Sequence, residues 1–247
     1  MTPEAAARVF DEHGVVTLAD VVPPTWVEAT RAVLLASLEG RLAAVDARGE
    51  AFGIETDEGF AEIVQRSPQR YDILLDRDAA LGRDPLLREQ AAFLPLVRAI
   101  LGPRARLALL GAVVARPGAQ EQAWHADGAH LFLERTPHLP PHCLNVFIPL
   151  IDLTLDVGPT ELCLGSHRLT AKLTAPYDPA ATNLAAIGFT GTPIPALARA
   201  GSAIIFDYRL LHRALPNPSS RDRPILYLTF AQPWFREQNF PERRLLR

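Results

Sequence analysis

Short apolar runs divide the second half of the chain, and this pattern constrains the fold more than any other feature. From about residue 105 onward, glycine and proline separate the runs. Regular helices of about 10–15 residues, which would alternate with the strands of a parallel sheet, are not evident between them. The pattern therefore predicts an antiparallel barrel of two sheets, of the jelly-roll or cupin type. The predicted strands are 107–115, 143–151, 161–164, 203–207 and 225–232.

Start and stop signals of helices dominate the first hundred residues. Thr2 before Pro3 is a helix start, and Gly14 can end that helix. Thr25 and Glu28 form a possible capping box for a second helix. We assign no element to residues 41–83, where the signals are mixed. The predicted elements are a helix over 2–14, a strand over 15–18, a helix from 25 to Gly40 with Val27, Leu34 and Leu38 on one face, and a helix over 84–102 kinked at Pro95.

Length and composition are compatible with one large domain. With 247 residues, 48% of them hydrophobic, the chain can bury a sizeable core. We predict a single domain over 1–247 with a mainly β, α+β fold, in which 1–104 form helical support and 105–240 form the barrel core. The stretch 168–200 is rich in Thr, Pro and Ala and interrupts the strands. It is too long for a simple connection, which indicates a lid or a wall of an active site.

The charge balance argues against large anionic partners. The chain has 25 basic and 28 acidic residues and a formal charge of −3, so no global field favours nucleic acid or an anionic membrane. No apolar run approaches the roughly 20 residues of a membrane span, and residues 1–10 lack the pattern of a secretory signal. We therefore expect a soluble cytoplasmic protein in which Cys143 and Cys163 are free thiols.

A candidate metal site combines two distant segments of the chain. His125 and Asp127 are two residues apart, and residues at this spacing in a strand point to the same face. His212 lies near the start of a late predicted strand, which a barrel can bring close to the first pair. Two histidines and one carboxylate, with open positions remaining, suit non-haem Fe(II) oxygen chemistry. A lone His-x-Asp is common by chance, and its structural alternative is a histidine hydrogen-bonded to a nearby carboxylate.

Arg223 is the candidate anchor for a carboxylate co-substrate. It follows the third metal candidate by eleven residues and directly precedes a predicted strand. The planar guanidinium can bind a carboxylate through two parallel hydrogen bonds. Arg221 is the competing anchor, but its neighbours Ser219, Ser220 and Asp222 indicate an exposed turn.

Together, these segments resemble the phytanoyl-CoA dioxygenase family of Fe(II)- and 2-oxoglutarate-dependent oxygenases, in particular its small members from natural-product pathways. The resemblance covers about residues 105–240. It implies a double-stranded β-helix core with the N-terminal helices packed on it. The residues that carry it are His125-x-Asp127, 158–167 (GPTELCLGSH), His212 followed by Asn217-Pro218-Ser219, Arg223-Pro224 and 227–235 (YLTFAQPWF).

The resemblance also implies the roles of the site residues. Fe(II) would be held by His125, Asp127 and His212, and Arg223 would bind the distal carboxylate of the co-substrate 2-oxoglutarate. By the same resemblance, Thr160 and Gln122 would hydrogen-bond the co-substrate, and O2 would be the oxidant. Halogenating relatives carry Gly or Ala in place of the carboxylate, so Asp127 disfavours halogenation here.

The expected reaction is oxidation of a C–H bond of a small molecule, by hydroxylation or by desaturation or cyclisation. Two alternatives remain open at this point. A cupin-type barrel could use the same three ligands to hold Zn(II) as a hydrolase or isomerase, and a degenerate barrel could bind a ligand without catalysis. We expect a monomer or homodimer. Candidate pocket residues, each equally compatible with ordinary core packing, are His130, Phe132, Phe147, Trp234 and Phe235.

Overall fold

Two antiparallel sheets form the centre of the fold in the computed structural model, which describes residues 2–49, 60–132, 139–169, 183–185 and 187–236. The helices are α1 (Pro3–His13), α2 (Pro24–Asp46) and α3 (Leu94–Leu101). The strands are β1 (Val15–Leu18), β2 (Ile63–Ser67), β3 (Arg70–Leu74), β4 (Arg106–Ala115), β5 (Cys143–Pro149), β6 (Thr160–Leu162), β7 (Ile194–Pro195), β8 (Ala203–Asp207), β9 (His212–Ala214) and β10 (Arg223–Ala231).

The strand order is that of a double-stranded β-helix, which confirms the predicted fold class. The larger sheet has the order β1-β8-β5-β10-β4-β3-β2, and the smaller has the order β7-β6-β9. Side chains of the two sheets meet in one apolar cluster, where Leu162 of β6 packs with Phe206 of β8 and Ile225 of β10. The five strands predicted in the second half are all present, with ends that differ by at most two residues.

Strand β10 is buried on both faces and separates the core from the pocket. Its residues 226, 228 and 230 belong to the main hydrophobic core, together with Leu34 and Leu38 of α2. The alternate residues, 223, 225, 227 and 229, line a pocket between the sheets. Because successive side chains of a strand point to opposite faces, one strand serves both environments. The helices therefore cover the outer face of the larger sheet and leave the inner face for the site.

Local signals at the first helix act as predicted. The hydroxyl of Thr2 accepts a hydrogen bond from the amide of Ala5 at 3.2 Å. Gly14 adopts a left-handed φ of 77°, and its amide donates to the carbonyl of Phe10. This is the αL termination that glycine permits without strain.

The second helix differs from its prediction at both ends. It begins at Pro24 after Pro23, with no side-chain cap, so the proposed capping box of Thr25 and Glu28 is wrong. Proline in the first turn already has the helical φ, which makes a side-chain cap unnecessary. The helix also continues through Gly40 to Asp46, so the predicted end is wrong. Burial of one helix face outweighs the roughly 1 kcal/mol that a glycine costs inside a helix.

The third predicted helix is shorter than expected. Asp84 caps only a single 3-10 turn, with its carboxylate accepting from the amide of Leu86 at 2.9 Å. The α-helix begins at Leu94, and Pro95 lies in its first turn, so the predicted kink is wrong. Proline is favourable there because the first amides of a helix have no partner within it.

The first hundred residues also contain a hairpin that the sequence analysis missed. Strands β2 and β3 pair with each other, and β3 extends the larger sheet beside β4. They lie in the segment left without an assignment, so the helical description of 1–104 is incomplete. Most of the predicted lid, namely 170–182 and 186, lies outside the described residues, and the lid stays a prediction. Helices in the described parts of the chain do not combine the length and apolar character that a membrane crossing requires.

Candidate metal and co-substrate site

His125, Asp127 and His212, here called the metal triad, converge in the pocket between the sheets. His125 pairs directly with His212 of β9, and the two residues exchange backbone hydrogen bonds of 3.0 and 2.8 Å. The Nε2 atom of His125 lies 3.9 Å from Asp127 Oδ1, and that of His212 lies 3.7 Å from Asp127 Oδ2. One ligand atom from each of the three residues falls within 4.8 Å of the others. This spacing is compatible with a single ion.

The second nitrogen of each histidine is fixed by the backbone. His125 Nδ1 lies 2.9 Å from the carbonyl oxygen of Ala123, and His212 Nδ1 lies 2.9 Å from that of Leu210. A carbonyl oxygen only accepts, so each Nδ1 carries the proton and each Nε2 presents its lone pair to the site. Burial lowers the pKa of His125 well below its ordinary value, and His212 lowers it further. The neutral imidazole of His125 therefore fits the requirement of a metal ion for deprotonated ligands.

The carboxylate of Asp127 is held by a neighbour that the sequence analysis did not identify. Asn145 of β5 donates a hydrogen bond from Nδ2 to Asp127 Oδ2. Burial raises the pKa of Asp127, and His212 opposes this effect. A bound cation would favour the ionised carboxylate. A lone asparagine in an apolar strand gives no sequence signal for such a contact.

Two buried arginines lie in one row of the larger sheet, and one of them, Arg223, lines the pocket. Arg70 of β3 and Arg223 of β10 both pair with Ala115 of β4, so they lie in one row across the sheet. Arg223 is 1% exposed and donates to the carbonyl of Gly158, while its Nε has no partner. Arg70 is fully buried, binds the carbonyls of Gln120 and Leu215, and has an unpartnered Nη1.

Within the described residues, no carboxylate forms an ion pair with either arginine. Burial, and then the charge of Arg70, lowers the pKa of Arg223 well below its ordinary value. Burial lowers the pKa of Arg70 to about 10. Uncompensated buried charge is strongly unfavourable, so this pair indicates a site for an anionic ligand. Arg221, the alternative anchor, lies instead at the surface in an ion pair with Asp156.

The pocket brings the predicted site residues together. It has about 690 Å³ of empty space, including the part open to solvent, and is lined by the metal triad, Arg223, Thr160 and Gln122. Thr160 projects from β6, and the backbone amide of Gln122 is bonded to Ala214 of β9.

The aromatic lining is only partly the predicted one. Phe147 lines the pocket, as expected, together with the unpredicted Tyr208 and Tyr227. Phe132 and Trp234 are 55% and 60% exposed, and neither they nor His130 and Phe235 belong to the lining. The ring of Phe235 packs instead against His142 at a centroid distance of 4.6 Å.

A polar network from the missed hairpin forms another part of the pocket wall. Arg66 donates from Nε and Nη2 to Asp72 Oδ2 at 2.9 and 2.7 Å. The hydroxyl of Tyr227 donates to Asp72 Oδ1 at 2.9 Å. All three side chains line the pocket, and we call them the charged wall. A buried ion pair contributes little net stability, so its position on a cavity is compatible with binding of a polar ligand.

The remaining histidines and the cysteines stay outside the metal site. His142 is buried and His167 lies in a 3-10 turn, and neither joins the group that could hold a metal. His138 lies outside the described residues. Cys143 and Cys163 are free, as predicted, and burial raises the pKa of the Cys163 thiol to about 12. The Cys163 thiol is therefore a poor candidate for a nucleophile.

Comparison with known families agrees with this geometry. The model of the family described as phytanoyl-CoA dioxygenase (PhyH) matches residues 10–225, which include most of the fold and every residue of the metal triad. The chain belongs to the phytanoyl-CoA dioxygenase family. It is therefore an enzyme of the dioxygenase class that depends on Fe(II) and 2-oxoglutarate and uses O2, as the motifs predicted.

Individual relatives support the same assignment. The chain is 29% identical over 235 residues to dioxygenase af480 of Aspergillus fumigatus, covering 94% of this chain and 68% of that protein. Among solved structures, it resembles AviO1 from Streptomyces viridochromogenes with a TM-score of 0.63, 23% identity and coverage of 94% and 96% of the two chains.

A second solved structure shows the same fold. HygX from Streptomyces hygroscopicus, with nickel and 2-oxoglutarate bound, matches with a TM-score of 0.64, 18% identity and coverage of 98% and 94%. HygX has also been crystallised with hygromycin B. At these identities the two structures establish the shared fold and leave the substrate of this chain to other arguments.

Proposed function

We propose that the metal triad holds Fe(II), that Arg223 binds the distal carboxylate of 2-oxoglutarate, and that the enzyme oxidises a C–H bond of a small molecule. The observation that carries this proposal is the uncompensated buried charge of Arg223, which lines the pocket of the metal triad, together with that of Arg70 in the same row of the sheet. A dianionic co-substrate bound between metal and arginine would neutralise that charge. The Zn(II) hydrolase alternative uses the same three ligands but does not explain why the charged guanidinium groups of Arg70 and Arg223 are buried.

Each protein group has a defined task in this proposal. The planar guanidinium of Arg223 fixes both the charge and the angle of the co-substrate, and Arg70 adds a second positive charge behind it. Thr160 and Gln122, from the opposite wall, are proposed to hydrogen-bond the co-substrate. When bound, Fe(II) with 2-oxoglutarate and O2 supplies the oxidising power, and the protein contributes orientation and exclusion of water.

The pocket supports a substrate with both apolar and polar parts. Phe147 and Tyr208 offer aromatic surface, whereas the charged wall offers hydrogen-bonding groups. Such a mixed lining is typical of sites that bind drug-sized molecules. We therefore propose a natural-product or amino-acid-like intermediate, which is also the kind of ligand named for HygX. Hydroxylation, desaturation and cyclisation are all compatible with the site.

An anaerobic titration tests this function. Fe(II) and then 2-oxoglutarate are added to the metal-free protein, and the weak visible charge-transfer band of the complex is followed. We expect the band only when both Fe(II) and 2-oxoglutarate are present. Tight binding of Zn(II) with no response to 2-oxoglutarate would favour the hydrolase or isomerase alternative. The variant Asp127→Ala is expected to lose 2-oxoglutarate turnover, and unchanged succinate release by it would rule out this ligand.

A further inference from the structure

The two oxygens of Asp127 have different surroundings. Oδ1 lies 3.9 Å from Nε2 of His125, and Oδ2 lies 3.7 Å from Nε2 of His212. Oδ2 accepts a hydrogen bond from the side-chain amide of Asn145. Asn145 is 4% exposed, so water does not compete effectively for this contact. A hydrogen bond to an ionised carboxylate is about twice as strong as one between neutral groups.

A second contact fixes the orientation of that amide. Thr229 of β10 lies directly opposite Asn145 of β5, and its hydroxyl is 2.7 Å from Asn145 Oδ1. Thr229 is 2% exposed and sits on the pocket face of its strand. If the amide were reversed, its carbonyl oxygen would face the carboxylate of Asp127, which is repulsive. The hydroxyl and the carboxylate therefore favour the same orientation, with Nδ2 toward Asp127.

We propose that Asn145, held by Thr229, is a positioning residue that fixes the rotation of the Asp127 carboxylate and so sets how its oxygens face the metal. This inference rests on the proposed function, because it concerns the same metal triad. Asn145 touches neither the metal nor the co-substrate in this role. It acts through the carboxylate that it holds.

The number of oxygens that Asp127 supplies decides how many positions remain for the reaction. Two imidazoles and one carboxylate oxygen would occupy three positions of a six-coordinate ion and would leave three open. The 2-oxoglutarate needs two of these and O2 needs the third. A carboxylate that bound through both oxygens would occupy one of the three. A carboxylate that is fixed by this hydrogen bond therefore cannot turn freely to occupy a position that the reaction requires.

The test uses Co(II), a visible probe that binds the same ligand types as Fe(II) and does not turn over. Metal affinity is measured by the visible absorption of the bound ion, first alone and then with added 2-oxoglutarate. The variants are Asn145→Leu, which removes the donor at similar size, and Thr229→Val, which removes only the hydroxyl. The matched control is Thr30→Val, the same change at a buried threonine of α2 outside the pocket.

Loss of the contact should change both binding steps. Partners that orient metal ligands typically contribute about 10- to 100-fold in metal affinity, and we expect a loss of that size in Asn145→Leu and a smaller loss in Thr229→Val. We also expect 2-oxoglutarate to bind the metal-loaded variants more weakly, because a carboxylate that can rotate freely competes for an open position. Thr229→Ser, which keeps the hydroxyl, should recover most of the affinity lost in Thr229→Val.

The outcomes separate this inference from the proposed function. If the wild-type protein fails to bind Co(II) and 2-oxoglutarate, the function itself is overturned. If it binds both and the two variants bind both equally well, the function stands and the positioning role is overturned. Circular dichroism checks the fold, and if Asn145→Leu does not fold, the conservative Thr229→Val decides the question.

Discussion

Arg223 is the residue whose surroundings are hardest to explain without a ligand. Its buried guanidinium has one carbonyl partner and, among the described side chains, no carboxylate. We expect 2-oxoglutarate at 100 times its Kd to raise the unfolding free energy of the Co(II)-loaded protein by about 2.7 kcal/mol, and Arg223→Leu to lose this gain. Denaturant unfolding with and without 2-oxoglutarate measures it.

Arg221 provides the control for that measurement. It lies two residues before Arg223 but pairs with Asp156 at the surface, where its side chain is 57% exposed. Arg221→Leu should respond to 2-oxoglutarate as the wild-type protein does. Equal loss in both variants would mean that general charge, rather than the buried anchor, controls binding.

His142 should make the protein sensitive to mild acid. It is 2% exposed, and neither ring nitrogen has a hydrogen-bond partner within the described part of the chain. Burial, and then Arg209, lowers the pKa of His142 from 6.5 to about 4. Between these two values His142 is protonated in the unfolded chain and neutral in the folded chain. The free energy of unfolding therefore decreases as the pH falls from about 6.5 to about 4.

The size of that loss can be checked with one variant. A shift of this size corresponds to roughly 3 kcal/mol at the acidic end of the window. His142→Leu should flatten the dependence of the unfolding free energy on pH between these two values. The same slope in wild-type and variant proteins would assign the acid sensitivity to other groups.

At the scale of elements, strand β4 depends on a glycine directly opposite Tyr227 of the neighbouring strand β10. A Cβ at Gly111 would lie 2.3 Å from the ring of Tyr227 and 2.7 Å from the carbonyl oxygen of Ile73. We expect Gly111→Ala to destabilise the fold by about 1–3 kcal/mol, because the backbone contact cannot yield easily. It should also displace Tyr227 from Asp72 in the charged wall.

Gly40 gives a matched comparison in a helix. It is exposed within α2, and a Cβ there would meet nothing within 4 Å. Gly40→Ala should therefore stabilise the protein by about 0.5–1 kcal/mol, through the lower backbone entropy of alanine. Denaturant unfolding of the two variants should give opposite signs, and destabilisation by both would contradict the structural distinction.

At the scale of the whole molecule, a buried ion pair connects β8 to the loop before β5. Asp207 accepts from Nε and Nη2 of Arg209 at 2.8 Å, and Arg209 Nη1 donates to the carbonyl of Leu139. Asp207→Asn leaves the guanidinium buried without its counter-charge, and we expect a loss of about 3–5 kcal/mol. Asp207→Asn combined with Arg209→Leu should recover part of it, as thermal and denaturant unfolding can measure.

Sequence patterns predicted the larger elements because the local pattern of apolar residues indicates which segments are buried. The apolar runs that became β4, β5, β8 and β10 are long enough to exclude other structures, and Thr2 and Gly14 have unambiguous cap chemistry. The hairpin was missed because its strands carry charged residues, including Arg66 and Arg70, that turn inward. Local polarity normally indicates exposure, and it fails where polar side chains line a buried pocket.

The order of residues along the chain was sufficient to predict that His125, Asp127 and His212 lie together and that Arg223 lies in the same pocket. Two local features carried that prediction: the i and i+2 spacing of His125 and Asp127, and the position of Arg223 before a strand. The chemistry of these side chains indicates a metal ion and a carboxylate as their ligands. Tertiary structure alone decided which groups surround them. Asn145, Thr229 and Arg70 lie on three different strands, and only the pairing of those strands brings each one to its partner. Such contacts depend on register, because a shift of one residue would turn these side chains away from the pocket.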